Sequence, residues 1–408
     1  PYWYPRWCIW QYQAPHGLEL VFDFSSADIP YSAPAGDALV FNADSTDWEH
    51  ICYDGTYNGP KDAYWYQPHE WETPDVEPKG FYIIMTTISL KRVADSVPVP
   101  IADISINTDM DSWCWTMQAN LRREIDLDLV RPQNGEPVEV EANINGNAWR
   151  FIVEEWGDNR QFGQWGYSIS GRSVSAALAS PYSAPVSYLE TEQRTAAQLA
   201  GQAVVNTGFN TDFDLGDWLV PGGVYNVQQK TPMQQLLHIA EAAGGTVESA
   251  QTGTTVNIVP YFKYMPWNWG DIPAQAVLPS WKGRSSQYQP RPQYNGVYTS
   301  GQHQGVTCFV RRSGTDGSKQ PQMFTHPLIT DTNAGLAAGK RILADSGHRI
   351  IESITAPLFD EPGLLKPGML IEVIDSRGNW KGQVLSCGIQ AKRPTVTQSL
   401  EVMRYLGT

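Results

Sequence analysis

The stretch from residue 135 to residue 156, GEPVEVEANINGNAWRFIVEEW, constrains the fold of this chain more than any other. Apolar and polar residues alternate before and after Asn145-Gly146, which is the period of a half-buried β-strand. An Asn-Gly pair between two such runs is a strong hairpin signal, because both positions of a two-residue turn take positive φ angles. The sequence therefore predicts a β-hairpin whose dry face carries Val138, Val140, Ala142 and Ile144 on one arm and Trp149, Phe151 and Val153 on the other.

Further alternating runs predict strands on both sides of this hairpin. Upstream, apolar residues at 125, 127 and 129 alternate with Asp126 and Asp128. Near the C-terminus, the runs RIIESIT, GMLIEVID, WKGQVLSCGI and TVTQSLEVMRYL are separated by turn sequences such as KPG and SRGN, and one helix is predicted in DTNAGLAAGKRILADSGH. Strands with one wet and one dry face, repeated in this way, predict a barrel or sandwich in residues 83–180 and another in residues 286–408.

Between these two regions, the sequence of residues 181–285 predicts an α/β segment. Thr231 can cap a helix in KTPMQQLLHIAEAAGG, because its hydroxyl can accept a hydrogen bond from a free amide of the first turn. Pro232 suits the first helical position, and Gly244-Gly245 supplies the exit. A hairpin is predicted next, in TVESAQTGTTVNIVPYF. The helices of this segment are predicted near residues 194–207 and 232–243.

The N-terminal part, residues 1–82, differs from the rest of the chain. It is rich in Trp, Tyr, Gly and Pro with little periodicity, and only LELVFDFSS alternates as a strand does. A loop of this length is typically functional or disordered, and its aromatic load favours order through contact with another chain. Because 408 residues are many for one core, the overall prediction is a multidomain, β-rich α+β chain with an irregular aromatic N-terminal extension.

The charge of the chain limits its partners. The formal net charge is −14, and charged residues make up 18% of the sequence. Phosphate binding needs clustered Lys and Arg, so this charge argues against a protein that grips nucleic acid, although DNA could pass such a surface without adhering. No stretch approaches the roughly 20 apolar residues of a membrane span. The start, PYWYPRWCIW, lacks the features of a signal peptide.

Cysteine and histidine spacings predict neither a disulfide framework nor a metal or cofactor site. The five cysteines are scattered, which is typical of buried free thiols, and pairing of Cys8 with Cys52 stays open. His50, Cys52, His69 and Glu70 lie close in sequence, but their spacing matches no zinc pattern.

No catalytic set is predicted. In SGRSVSAA, Ser173 follows a glycine, but a nucleophile elbow needs a second glycine where Ser175 stands. The carboxylates of Glu154-Glu155 and Asp360-Glu361 are predicted to lie at a strand end and in a turn. His238 lies within a predicted helix and is interpreted as a packed or capping histidine. We therefore expect a structural or binding protein rather than an enzyme.

Aromatic residues are the strongest signal of an interaction surface. They make up 12% of the chain, and 16 of them are Trp. Small cores cannot hold all these rings, and Trp and Tyr are enriched at interfaces. The candidates for a subunit contact or for stacking on a glycan are Trp65, Trp71, Trp267 and Trp269.

A series of motifs gives the sequence a family resemblance. YSISGRSVSAALASPYS is followed by EQRTAAQLAGQAVVNTG, WLVPGG, KTPMQQLLHIAEAAGGTVES and VPYFKYMPWNW, and later by YNGVYTSG, HPLITDTNAGLAAGKRIL and LLKPGMLIEVID. In this order the chain resembles the tail-tip or baseplate hub proteins of tailed bacteriophages, in particular those of long-tailed, Mu-related siphophages. The resemblance covers roughly residues 100–408, and residues 1–82 lie outside the pattern.

The resemblance implies a homotrimeric ring at the distal tip of the tail in the virion, assembled in the cytoplasm of the host bacterium. Two tail-tube-like β-barrels per subunit, residues 83–180 and 286–408, would continue a six-fold tail tube above. The α/β insert would thicken the hub, a central fibre or spike protein would attach below, and viral DNA would pass through the channel. The candidates for a wet or lumenal face are Asp126, Asp128, Glu139 and Glu141.

Two other functions stay open from the sequence. A carbohydrate-binding tail protein would stack a host-surface glycan on exposed Trp side chains. A tail-associated peptidoglycan hydrolase would need a carboxylate or Ser/His set in a cleft.

Overall fold

A computed structural model describes residues 86–132, 135–162, 164–279, 281–302, 305–359 and 361–407, and the backbone of two short strands near the N-terminus. The chain forms two compact units, Pro1–Ile83 and Ile84–Thr408. In the first unit, β1 (Glu19–Phe22) pairs in parallel with β2 (Ala38–Phe41). The predicted strand in LELVFDFSS contains β1.

The second unit begins with strands. Its first elements are β3 (Ile88–Arg92), β4 (Ile101–Asp109), β5 (Thr116–Leu121), a 3-10 helix (Glu124–Leu129), β6 (Glu139–Ile144), β7 (Asn147–Gln161), β8 (Gln164–Ser173) and a second 3-10 helix (Val174–Leu178). The middle elements are β9 (Val186–Leu189), β10 (Arg194–Thr195), α1 (Ala196–Ala203), β11 (Asn210–Phe213), β12 (Leu219–Val220), β13 (Asn226–Lys230), α2 (Pro232–Ala242), β14 (Gly245–Ser249), β15 (Thr255–Pro260), a 3-10 helix (Pro266–Asn268) and β16 (Ala276–Leu278).

The last part of the unit is again mostly strands. Its elements are β17 (Gly283–Gln289), β18 (Gly296–Ser300), β19 (Thr307–Arg311), β20 (Phe324–Thr325), α3 (Thr332–Ala344), β21 (Arg349–Pro357), β22 (Leu370–Val373), β23 (Trp380–Lys392) and β24 (Thr395–Tyr405). Within the described ranges, none of the helices combines the length and apolar character that crossing a membrane requires.

The predicted hairpin around Asn145-Gly146 is confirmed. β6 and β7 are antiparallel with Ile144 opposite Asn147, and the φ angles of Asn145 and Gly146 are 47° and 82°. Asparagine and glycine tolerate such angles better than other residues, which is why this pair fits the turn. The predicted dry face is buried at Val140, Ala142, Ile144, Trp149, Phe151 and Val153.

Both β regions join in one sheet of twelve strands. Ten of them follow the order β17-β21-β24-β23-β4-β5-β8-β7-β6-β3, and β16 and β22 extend it beside β23. The joint is the antiparallel pair of β4 and β23, where Thr108 lies opposite Cys387 and Ile104 opposite Ala391. The two regions predicted to form a barrel or sandwich each therefore share one hydrogen-bonded sheet, and the barrels themselves stay a prediction. Alternation shows which face of a strand is buried, but it does not show which strand lies beside it.

A single hydrophobic core lies against one face of this sheet. It contains Ile106 and Trp149 from the first β region and Ile389 and Leu400 from the second. The Asn145 side chain donates to the carbonyl of Leu358, and the Arg393 side chain donates to the carbonyl of Ile88, both at 3.0 Å. These bonds connect the β3–β6 end of the sheet with residues that follow β21 and β23, so the sheet curls around its core.

The strand predicted at residues 125–129 is wrong, because Glu124–Leu129 is a 3-10 helix. Its buried apolar side chains are Leu127 and Val130, three residues apart, whereas Ile125 is largely exposed. A spacing of three matches one turn of a 3-10 helix. Asp126 is also buried, since its carboxylate accepts from the backbone amide of Arg123 at 3.1 Å and from the guanidinium of that residue at 2.8 Å.

The two helices predicted between the β regions are confirmed as α1 and α2. Thr231 caps α2, Pro232 occupies its first turn, and Gly244 follows it with a φ of 65°. The predicted hairpin is the antiparallel pair of β14 and β15. Both helices and this hairpin share a second hydrophobic core, which includes Leu199, Leu236, Val247 and Ile258. The third predicted helix is α3, whose first turn is capped by Asp331.

Candidate interaction surfaces

The face of the large sheet opposite its core carries small, uncharged polar side chains. We call this side of the sheet the wet face. The pairing aligns them across the joint: Thr355 lies opposite Ser399, Ser399 opposite Gly388, Gly388 opposite Asn107, and Asn107 opposite Thr116. These residues are exposed or half-buried, while their neighbours along each strand are buried, except for the half-buried Thr108. Strands of both β regions therefore build one continuous polar surface.

A second row of polar residues runs parallel to the first. Gln390 lies opposite Ser105, Ser105 opposite Gln118, and Gln118 opposite Ser170. Negative charges flank these rows: Glu401 is exposed opposite Ser353 and Ser386, and Glu155 accepts from the hydroxyl of Ser170 at 3.2 Å. The positive charge of Arg172 is paired with Glu154 at 2.6 Å. The exposed Lys392 also lies on this side of the sheet, opposite Asp103, so among the described residues uncharged and acidic side chains outnumber cations on the wet face.

The four acidic residues singled out from the sequence occupy different environments. Register places Glu139 opposite Ile152, Ile152 opposite Arg172 and Arg172 opposite Thr116, so Glu139 and Glu141 lie on the same side of the sheet as the wet face. Glu139 is exposed. Hydrogen bonds from Lys91 and then Arg150 hold the pKa of Glu141 below its usual value, against the effect of burial.

Asp126 and Asp128 do not lie on a strand. Asp126 is buried under Arg123, so its predicted position on the polar side of a strand is wrong. Asp128 is exposed and pairs with Arg131 at 2.6 Å.

The tryptophans singled out from the sequence lie in several environments. Trp269 is only 4% exposed, and its indole N–H donates to the carbonyl of Tyr264 at 3.0 Å. With Phe262 it packs over Ile351 and Met403, where it closes one end of the wet face. Trp267 is half-buried, 4.8 Å from the guanidinium carbon of Arg312. A buried Trp269 cannot stack on a glycan. Trp65 and Trp71 lie outside the described residues, as do His50, Cys52, His69, Glu70 and Cys8.

Three other aromatic rings are exposed on a projecting hairpin, which we call the aromatic arm (residues 156–165). β7 is paired with β6 only as far as Ile152, and β8 is paired with β5 only as far as Tyr167. Between Asn159 and Gly166 the two strands therefore pair with each other alone, whereas Trp156 lies opposite Ile169, which is still paired with Ala119 of β5. The rings of the arm are Trp156, which is 46% exposed, Trp165, which is 67% exposed, and Phe162, which is fully exposed. The alternation in the sequence indicated the hairpin but not its length.

Charged side chains contact the aromatic arm, and the guanidinium carbon of Arg131 lies 4.8 Å from the centre of the Trp156 ring. Arg160 pairs with Asp158 and Glu124, and its guanidinium carbon lies 5.7 Å from the centre of the Trp165 ring. An isolated hairpin is marginally stable in water, and clustered exposed apolar side chains mark interaction sites. The aromatic arm is therefore a candidate contact surface for another chain.

The serine that follows a glycine in SGRSVSAA lies inside the protein. Ser173 is 1% exposed, and its hydroxyl is hydrogen-bonded to that of Ser175 at 2.9 Å. Gly171 is required by a close backbone approach, because a Cβ atom there would lie 2.0 Å from the carbonyl oxygen of Ile152. The glycine therefore serves strand packing. The described cysteines, Cys114, Cys308 and Cys387, are buried free thiols, and burial raises the pKa of Cys114 to about 11.

His238 belongs to a cluster that spacing along the sequence did not reveal. His238 and Glu241 lie on one face of α2, and His326 follows β20. Ligand atoms of the three side chains lie within 4.8 Å of one another, and the ring centroids of the two histidines are 4.6 Å apart. The Nδ1 atom of His326 accepts from the amide of Leu328 at 3.2 Å, whereas its buried Nε2 atom has no hydrogen-bond partner.

Burial keeps both histidine rings of this cluster neutral near neutral pH. It lowers the pKa of His326 to about 3, with smaller effects from the nearby His238 and Lys230. It lowers the pKa of His238 to about 4, with a smaller effect from Lys230.

Solved structures of phage proteins share this architecture, whereas no protein-family model and no curated protein matches the sequence. A tail protein from Neisseria meningitidis MC58 superposes with a TM-score of 0.57 at 13% identity, over 78% of this chain and 96% of the other. The 43 kDa tail protein of prophage MuSo2 from Shewanella oneidensis gives 0.55 at 15% identity, over 78% and 98%. The prophage tail protein gp18 from Listeria monocytogenes EGD-e gives 0.50 at 10% identity, over 77% and 94%. This chain therefore has the fold of phage tail proteins.

Proposed function

We propose that this chain is a structural virion protein that forms a homotrimeric hub at the distal end of a phage tail. In this role it adapts the six-fold tail tube above to a three-fold central fibre or spike below. The observation that carries the proposal is the likeness of fold, which includes nearly the full length of two phage tail proteins. The resemblance of the sequence motifs to hub proteins favours the tip of the tail over other positions.

In the proposed hub, the wet face lines the channel through which DNA leaves. DNA binds proteins mainly through cations at its phosphates, so a lining of Ser, Thr, Asn and Gln with flanking acids favours passage without adhesion. Further side chains that could face the lumen are those of Glu139, Glu141 and the exposed Asp128. The buried side chain of Asp126 does not face the lumen. The aromatic arm is the proposed contact between neighbouring subunits or with the adjacent tail ring, because large permanent interfaces favour exposed aromatic anchors.

Electron cryo-microscopy of purified virions tests the arrangement. We expect three copies around the channel at the distal end of the tail, with Ser399 and Asn107 facing the lumen. A location at the periphery of the tail would contradict the hub and favour the glycan-binding alternative. Six copies per ring would contradict the adaptor role.

Lysine substitutions on the wet face test the channel lining separately from assembly. The double variant Gln118→Lys/Ser353→Lys places two cations on exposed strand positions. We expect particles that assemble normally but release DNA several-fold more slowly, because the lysines bind passing phosphates. The matched control, Thr252→Lys/Thr254→Lys, adds the same charge to exposed residues between β14 and β15. Equal release rates in both double variants would contradict a lumenal wet face.

A further inference from the structure

The His238–Glu241–His326 cluster combines donors that suit a transition metal. Two neutral imidazoles and one carboxylate are a ligand set that zinc uses, with a fourth position left for water. His238 and Glu241 are three residues apart on α2, so they project from the same face of the helix. His326 approaches from the segment after β20, and its Nε2 atom lies 4.0 Å from Oε2 of Glu241.

One atom of the cluster points to a ligand independently of this spacing. His326 is 5% exposed, and its Nε2 atom is buried without a hydrogen-bond partner. Buried polar atoms are nearly always paired, so an unpaired ring nitrogen that faces a second imidazole and a carboxylate needs an explanation. A bound metal ion supplies one.

The cluster needs modest rearrangement to bind an ion. Zinc bonds to nitrogen and oxygen of about 2.0–2.2 Å require ligand atoms closer together than 4.8 Å. The side chain of Glu241 is 59% exposed and free to move inward. Ligation through Nε2 also requires the ring proton of His326 to reside on Nδ1, which breaks the local hydrogen bond from the Leu328 amide.

Two nearby charges affect the affinity of the cluster in opposite directions. Glu241 supplies a negative charge that favours a divalent cation. Lys230 is close enough to act on both histidines. The positive charge of this lysine opposes a bound cation, and Glu241 acts on the lysine in turn.

We propose that His238, Glu241 and His326 bind a zinc-class divalent transition-metal ion. The ion would tie α2 to the segment that follows β20, and so connect the second hydrophobic core to the small sheet of β18, β19 and β20. This site is independent of the hub function, and its failure would leave that function untouched.

Zinc titration of the metal-free, full-length protein in competition with a chromophoric chelator tests the site. We expect Glu241→Gln to weaken the affinity of one zinc equivalent at least tenfold, and His238→Gln/His326→Gln to lose that equivalent. The variant His50→Gln/His69→Gln should retain it, which separates the cluster from histidines of the N-terminal region. His348→Gln, which lies outside the cluster, should also retain it.

Co²⁺ provides a readout that does not depend on counting equivalents. Visible absorption of the Co²⁺-loaded protein should be present in the wild type and reduced in Glu241→Gln. Glu241 is exposed, so this variant should unfold at the wild-type temperature when a chelator is present. Equal zinc affinity and equal Co²⁺ spectra in the wild type and in His238→Gln/His326→Gln would overturn the proposal.

Discussion

Thr231 stabilises the start of α2 through a reciprocal pair of hydrogen bonds. Its hydroxyl accepts from the amide of Gln234 at 3.4 Å, and the side-chain carbonyl of Gln234 accepts from the amide of Thr231 at 2.9 Å. Two amides of the first turn that have no partner within the helix are thereby satisfied. Because α2 contributes Leu236 and Ile239 to the second core, a frayed first turn would expose apolar surface.

We predict that Thr231→Ala lowers the free energy of unfolding by about 1 kcal/mol, the usual effect of removing a capping hydroxyl. Thr231→Ser retains the hydroxyl and should lose less than half as much. Urea denaturation of the purified variants, followed by circular dichroism, measures both values. Equal losses in the two variants would show that packing of the threonine methyl group, rather than the cap, stabilises this site.

His326 should make stability depend on pH in the absence of metal. The pKa of His326 in the folded protein, about 3, lies below the ordinary histidine value of 6.5, so below pH 6.5 the unfolded state binds more protons. The contribution of the neutral His326 ring to the free energy of unfolding is therefore fully present above pH 6.5, and it is lost as the pH falls from there toward 3. The charged and titratable neighbours are Lys230, His238 and Glu241.

The free energy of unfolding should fall between pH 7 and pH 5 in the wild type. We predict that it falls by about 1–2 kcal/mol less in His326→Gln. Chemical denaturation at both pH values, with a chelator present, measures this difference. The control Ile342→Val, in the nearby α3, removes packing but no titrating group and should lower stability equally at both pH values. An unchanged pH dependence in His326→Gln would show that this histidine does not titrate with folding.

At the scale of elements, the aromatic arm combines a two-stranded ribbon, whose tip has no other strand beside it, with large exposed rings. The tip of the arm lies beyond the neighbouring strands of the large sheet, so the fold of the chain does not depend on Trp165 or Phe162. Removing these rings deletes surface that a partner chain would cover, and it leaves the core intact. Folding and assembly can therefore be separated by experiment at this element.

We predict that Phe162→Ser/Trp165→Ser leaves the thermal unfolding temperature within a few degrees of the wild type, because substitutions at exposed positions change stability by only about 0.5 kcal/mol each. The same variant should fail to enter tails when it complements a phage that lacks the wild-type protein. The control Tyr298→Ser/Phe309→Ser removes two other exposed rings, on β18 and β19. Normal incorporation of the arm variant would remove the arm from the proposed interface.

At the scale of the whole molecule, the pairing of β4 with β23 makes one structural unit of two distant parts of the chain. Ile106 lies opposite Ile389 across this joint, and both side chains are fully buried in the shared core. Shortening either side chain should therefore destabilise both β regions. Two separate barrels would confine the effect to one region.

We predict that Ile106→Val lowers the free energy of unfolding by about 1 kcal/mol and accelerates amide exchange in both β6 and β21. Ile389→Val on the other side of the joint should give the same pattern. Hydrogen exchange followed by mass spectrometry of peptides resolves the two strands. Faster exchange limited to the region that carries the substitution would contradict one cooperative sheet.

Much of the local structure was predictable because its causes are local. Asn145-Gly146 predicted the hairpin turn, Thr231-Pro232 predicted the start of α2, and alternation from Val138 to Ile144 predicted a dry strand face. Residues 125–129 show the limit of this method. Alternation over five residues fits a strand, but burial of Leu127 and Val130 at a spacing of three stabilises a 3-10 helix instead.

The candidate sites were less predictable than the elements. The polar side of β6 was identified by Glu139 and Glu141, but the wet face also requires Asn107 beside Gly388, a contact between distant parts of the sequence. The sequence makes Trp269 a candidate for a subunit contact or for stacking on a glycan, and the structure buries it, because composition counts rings without showing what covers them. The position of His238 in the sequence predicts no cluster, since nothing in the sequence indicates that His326 lies beside it.

The sequence by itself determined the Asn145-Gly146 turn, the start of α2, the dry faces of several strands, and that the chain is acidic. These properties depend on backbone conformation and on residues a few positions apart. Only the tertiary structure decided that β4 pairs with β23, that the aromatic arm extends past its neighbours, and that two histidines and a glutamate meet beside α2. Strand partners and side-chain clusters depend on contacts between distant residues, which form because the large sheet curls around one core and the helices pack in a second.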